Sequence, residues 1–155
     1  MSLFKKQIVI IGSHTCSKEL GKMAYEVGKE IAGHGYILVC GGKGGVMEAA
    51  CRGAKENKGF TIGIIPERNP EDNLDNKYLD IIIPTGINFS RNYIVQNSGS
   101  VIIMIAGEYG TLSELGYALT FNKKVISLKS KWAKIDKRIT IAKSAQDAVD
   151  RAIRE

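Results

Sequence analysis

The sequence predicts an α/β fold: a single doubly wound Rossmann-like domain over residues 1–155, with a mostly parallel sheet of six to seven strands and helices on both faces. Three observations predict it. Apolar runs of about four to six residues, rich in Ile and Val, alternate along the whole chain with amphipathic helical stretches, the pattern of repeated βαβ units. The runs are continuously apolar, as strands buried on both faces are. The chain's unusual glycine-rich and polar loops follow the strands, where such sheets place their ligands.

Residues 7–11 (QIVII) form the first strand and exit through Gly12 and Ser13. A helix is expected over residues 17–34, because Leu20, Met23, Ala24, Val27 and Ile31 recur at offsets of three and four and make one buried stripe. Residues 36–40 are the second strand, followed by Gly41-Gly42-Lys43-Gly44-Gly45 and a helix over residues 46–58. Residues 60–65 are the third strand, closed by Pro66. Residues 68–77 (RNPEDNLDNK) are polar and contain Pro, Asn and Asp, so they are expected to be a loop and a mobile lid. The fourth strand spans residues 79–84, a helix 88–98, and the fifth strand 100–106. After a loop at 107–110 come a helix over 111–122 and a sixth strand over 125–128. A short strand near 139–142 precedes a terminal helix that begins at Ser144, with Asp147 placed for capping.

Composition narrows the function. With 44% hydrophobic and 25% charged residues the chain is an ordinary globular protein, which excludes disordered, collagen-like and coiled-coil readings. No apolar run approaches the ~18–20 residues that cross a bilayer, and no signal peptide is evident, so no membrane partner and a cytoplasmic location are expected. Cys16, Cys40 and Cys51 are odd in number and lack CxxC spacing, which argues against a disulfide framework or a zinc site. No metal and no cofactor are expected. The net charge of +6 draws on Lys129, Lys131, Lys134, Lys137, Arg138 and Lys143, but these alternate with apolar residues and read as a solvated surface. Nucleic acid is therefore not the expected partner, and Trp132 within that segment reads as a packing anchor.

Four loops are expected to meet at one crevice: Gly12-Ser13-His14-Thr15, residues 41–45, residues 85–92 and residues 106–111. The glycines at 41–45 allow a close backbone approach before a helix N-terminus, which suits an anion, though a tight turn gives the same pattern. Gly107 and Gly110 free the backbone before a second helix, and Thr111 adds a hydroxyl. Thr111-x-x-Glu114 also spells a capping box. Glu108 opposes an anion there unless it turns outward. Arg91, in Ser90-Arg91-Asn92, is placed to pair with Glu114 or to clamp a phosphate through its planar fork.

Taken together, Gly42-x-x-Gly45-Val46-Met47, Arg91-Asn92 and Gly107-x-x-Gly110-Thr111-x-x-Glu114 resemble the Lonely-guy family. Its members are phosphoribohydrolases that release cytokinin bases from nucleoside 5′-monophosphates, long mislabelled lysine decarboxylases. The resemblance covers nearly the whole chain and implies a Rossmann-like homodimer or higher homo-oligomer. It departs at Ala106, where the family has Pro, at Glu108, where it has Gly, and at Asn92, where it commonly has Lys. The chain looks closer to a short branch that also resembles molybdenum-cofactor carrier proteins, which bind a phosphorylated pterin without hydrolysing it. The partner so implied is a phosphorylated small molecule, a nucleoside monophosphate or a pterin. As a hydrolase, the resemblance makes Glu114 the catalytic carboxylate and Arg91 its orienting partner. Gly107, Gly110 and Thr111 would hold the 5′-phosphate, and Gly12, Ser13, Gly42 and Met47 would border the nucleoside. Gly45 and Asn92 complete the binding candidates.

Overall fold

The computed structural model describes residues 6–154; residues 1–5 and 155, which the expected domain includes, lie outside the described residues. The strands are β1 (Gln7–Gly12), β2 (Ile37–Cys40), β3 (Phe60–Ile65), β4 (Ile81–Pro84), β5 (Val101–Ile105), β6 (Lys124–Leu128) and β7 (Thr140–Ile141). The helices are α1 (Lys18–Gly33), α2 (Val46–Glu56), α3 (Asn92–Asn97), α4 (Tyr109–Thr120) and α5 (Ala145–Ile153). All seven strands are parallel, in the order β4-β3-β2-β1-β5-β6-β7. The chain thus winds outward from β1 to β4, then returns to place β5 on the other side of β1. This reversal opens a crevice at the carboxyl ends of β1 and β5.

The alternation of side chains along β1 divides the core in two. Ile8 and Ile10 pack toward α1, α2 and α5, whereas Val9 and Ile11 pack toward α3 and α4. Both faces are covered, which is why the strand residues are continuously apolar. On the first face α1 and α2 approach almost backbone to backbone. A β-carbon on Gly28 would lie 1.8 Å from the Ala50 carbonyl oxygen, and one on Gly53 would lie 2.0 Å from that of Tyr25. Neither helix backbone can yield without moving the other. Gly28→Ala is therefore expected to cost about 3 kcal/mol of stability through overpacking, read as a lowered urea midpoint with an unchanged slope.

Element boundaries differ from the expected ones where side chains or left-handed residues intervene. Strand β4 starts at Ile81 because the Asp80 carboxylate takes the Thr61 N–H, at 2.8 Å. The helix expected over 88–98 is a 3₁₀ turn, Asn88–Arg91, leading into α3, with Asn88 itself at φ 51°. Strand β5 ends at Ile105 because Ala106 turns to φ 51°. Ser17 caps α1, accepting from the Leu20 N–H at 3.2 Å. At α5 the expected capping forms: Ser144 accepts from the Asp147 N–H at 3.1 Å, and Asp147 from the Lys143 N–H at 2.8 Å.

Candidate functional site

The strand ends are stitched together by Ser13. Its hydroxyl accepts from the Gly107 N–H at 3.0 Å, joining the exits of β1 and β5, and its carbonyl accepts from the Val46 N–H at 2.9 Å, joining β1 to the start of α2. Gly45 makes the second contact possible. Its backbone (φ 62°, ψ −124°) is a conformation that only glycine adopts readily, and a β-carbon would lie 2.4 Å from the carbonyl carbon of His14. Above these ends opens a cleft of about 560 Å³, a volume suited to a small molecule.

Arg91 and Glu114 both line this cleft, and each is only 7% exposed. Arg91 donates from Nη2 to the Gly41 carbonyl at 3.2 Å, while its Nε is buried without an acceptor. Burial lowers its pKa, opposed by the fields of Glu114 and Cys40. Among the described residues the Glu114 carboxyl takes part in no hydrogen bond and no direct ion pair, so the expected Arg91–Glu114 contact is an interaction through space rather than a salt bridge. Burial pushes the Glu114 pKa up to about 8; the Arg91 charge pulls it down and Cys40 pushes it up. At neutral pH Glu114 is then mostly a neutral acid, with a proton to give.

Thr111 and Gly110 also line the cleft, but not as the caps the spelling suggested. Helix α4 begins at Tyr109 with Glu108 as its N-cap, so Thr111 lies in the first turn and Glu114 in the second, and the capping box does not form. The first intrahelical bond runs from the Leu112 N–H to the Glu108 carbonyl, at 3.0 Å. The N–H groups of Tyr109, Gly110 and Thr111 therefore lack helical acceptors, and the positive end of the helix faces the cleft. Glu108 does not neutralise it: its exposed carboxylate is paired with Lys131. Trp132 Nε1 donates to the carbonyls of Gly107, at 3.1 Å, and Glu108, at 3.3 Å, while its ring packs on the core beside α4. The basic segment after β6 thus holds the loop that shapes the cleft-facing helix end.

Of the other expected residues, Gly12, Ser13, Met47 and Asn92 line the cleft. Asn92 donates to the Ser113 hydroxyl at 3.1 Å and leaves Oδ1 buried without a donor. Gly42, Gly45 and Gly107 do not line it; they shape the wall from behind, and Gly41 and Gly44 face the space instead. Sequence reasoning missed the opposite wall, formed by Lys43, Pro66, Glu67, Asp75 and Phe89. The loop over 68–77 is not a free lid. Asn73 donates to the Gly42 carbonyl at 2.8 Å, Asn76 to that of Lys43 at 3.3 Å, and the Lys43 ammonium pairs with Glu67 and, at 2.8 Å, with Asp75. A lysine within the glycine run, facing the acidic stretch after β3, was the available signal. Cys40 and Cys51 lie beneath the floor with sulfurs 3.7 Å apart, too far for a bond. No metal-holding cluster occurs among the described residues, and none of their helices is long and apolar enough to cross a membrane.

The SLOG cluster 4 family model matches residues 5–154. A cytokinin riboside 5′-monophosphate phosphoribohydrolase of Mycobacterium tuberculosis is 33% identical over 125 residues, which span 76% of this chain and 66% of that protein, just under two thirds of its length. Two solved structures share the fold closely. The molybdenum cofactor binding protein of the phototrophic bacterium Rippkaea orientalis is 35% identical, with a TM-score of 0.89 over 97% of this chain and 96% of its own. The molybdenum cofactor carrier protein of Chlamydomonas reinhardtii is 30% identical, with a TM-score of 0.83 over 97% and 99%.

Proposed function

The chain belongs to the SLOG cluster 4 family, and from its cleft we propose that it is a nucleoside 5′-monophosphate phosphoribohydrolase, releasing a free base and ribose 5-phosphate. One observation carries the reading: a buried Glu114 without hydrogen-bond partners, its pKa raised by burial, lines the same cleft as a buried Arg91 with a donor to spare, and a helix N-terminus faces that cleft. Buried ionisable groups so perturbed are concentrated at catalytic sites. The ligand's phosphate lies on the free N–H groups of Gly110 and Thr111, with the Arg91 guanidinium completing its charge neutralisation. The ribose then lies against Glu114. As the C1′–N bond breaks, Glu114 gives its proton to the departing base nitrogen, and the carboxylate left behind faces the developing oxocarbenium charge. Water adds to C1′, and its proton returns to Glu114. The edge-on cluster of Tyr93 on α3 with Tyr117 on α4 and Phe121 just after it, all half-exposed, supports a homodimer seated on that face.

The second reading, a carrier that holds a phosphorylated heterocycle unchanged, is favoured by the likeness to the cofactor-binding structures and by Glu108 in the anion-facing loop. Incubation with a panel of nucleoside monophosphates, followed by chromatography of free base, separates the two. The hydrolase reading expects base release that is lost in Glu114→Gln. A ligand bound tightly but recovered intact, from both forms alike, replaces it with the carrier reading.

A further inference from the structure

Resting on the phosphorylated-ligand reading, we propose that the β3 end of the cleft is the heterocycle subsite and that it selects rings with a lactam edge. These rings, such as guanine and pterin, carry a carbonyl oxygen beside a ring N–H and an exocyclic amine. Position is the first argument. The phosphate-facing end of α4 follows β5, while Pro66 and Glu67 follow β3, three strand spacings away across β1 and β2. At ~4.8 Å per strand the cleft runs about 14 Å between these ends, leaving room beyond a ribose phosphate.

The far end offers both a ring face and a hydrogen-bonding edge. Phe89 lines the cleft yet is 82% exposed, an aromatic face for stacking. It is held next to Pro66, because the neighbouring Asn88 N–H donates to the Pro66 carbonyl at 3.2 Å. The same cleft is lined by Lys43, whose ammonium is shared by Glu67, Asp75 and, at 3.5 Å, the Asn73 side-chain Oδ1. Glu67 binds Lys43 through Oε1 alone; its Oε2 is buried and has no donor. A buried carboxylate oxygen without a donor calls for a partner. The lactam edge supplies the complement. Its N–H and amine donate to Glu67, and its carbonyl lies beside the charge of Lys43, whose three N–H groups are already taken by Glu67, Asp75 and Asn73. Adenine meets the same carboxylate with the N1 lone pair, which repels it.

The test is calorimetric titration of the full chain carrying Glu114→Gln, which stops turnover, with GMP, AMP and ribose 5-phosphate, each further variant being made in that background. GMP is expected to bind at least ~10-fold more tightly than AMP, because a site built to hydrogen-bond a ring edge rejects the edge that lacks the match. Glu67→Gln should bring the two nucleotides within ~3-fold while leaving ribose 5-phosphate unchanged. Phe89→Ala, at an exposed position, should weaken both nucleotides by ~10-fold and spare ribose 5-phosphate. AMP binding as tightly as GMP overturns the lactam selection. Equal weakening of all three ligands by Glu67→Gln, together with no effect of Phe89→Ala, overturns the subsite. If ribose 5-phosphate and both nucleotides all fail to bind, the phosphorylated-ligand reading itself falls and takes the subsite with it; binding of ribose 5-phosphate alone overturns only the subsite.

Discussion

Glu114→Gln is expected to lower kcat by about 10³-fold while making the protein more stable at pH 8.5. The loss follows because the amide has no acidic proton to give, and general acids of this kind contribute roughly 10²–10⁴-fold. The gain follows from linkage. The Glu114 pKa is raised from 4.5 to about 8 in the fold, so the folded state keeps a proton that the unfolded chain has released. Stability from this group is complete below pH 4.5 and is lost as pH rises toward 8. The neutral amide escapes that penalty, on the order of 5 kcal/mol. Thermal melts at several pH values check it: the variant should melt at least roughly 10 °C above wild type at alkaline pH, and the gap should close toward pH 4.5. For wild-type turnover the same group predicts an alkaline limb near pH 8. A variant that loses stability at pH 8.5 contradicts the buried neutral acid, whatever its activity.

Arg91→Met should weaken ribose 5-phosphate binding by about 100-fold, since a charge-assisted hydrogen bond to an anion is worth roughly 1.5–3 kcal/mol. It also changes Glu114. The Arg91 charge pulls the Glu114 pKa down, so its removal moves the alkaline limb of the rate profile to higher pH. The two readouts separate binding from structural damage, because a merely disturbed fold has no reason to shift the limb in that direction. Arg91→Lys is not expected to rescue: a point charge does not reproduce a planar guanidinium that already spends Nη2 on the Gly41 carbonyl. Affinity within threefold of wild type contradicts the assignment.

The architecture was legible because buried parallel strands announce themselves. QIVII at β1 and VIIMI at β5 have no other economical reading, and the order of loops after them places the cleft. Arg91 and Glu114 were legible as motif residues, and both line one cleft. What local spelling could not give was the start of α4. Thr111-x-x-Glu114 imitates a capping box, yet the helix begins two residues earlier because Ala106 and Gly107 turn with φ of 51° and 111° and Trp132 ties down their loop from 25 residues away. The wall built by Lys43 with Glu67 and Asp75 was equally hidden. Polar residues in a Pro- and Asn-containing stretch look mobile until their long-range partners are known. The buried Asn73 and Asn76 side chains are what hold this one down.

In the proposed complex a phosphorylated ligand seats its anion on the N-terminus of α4, beside Arg91, with its sugar against residue 114. A crystal structure of Glu114→Gln soaked with GMP tests it most directly. Phosphate oxygens are expected within hydrogen-bond reach of the Gly110 and Thr111 N–H groups and of the Arg91 guanidinium, with C1′ adjacent to residue 114. A phosphate held elsewhere on the chain, or seated with C1′ turned away from residue 114, contradicts it.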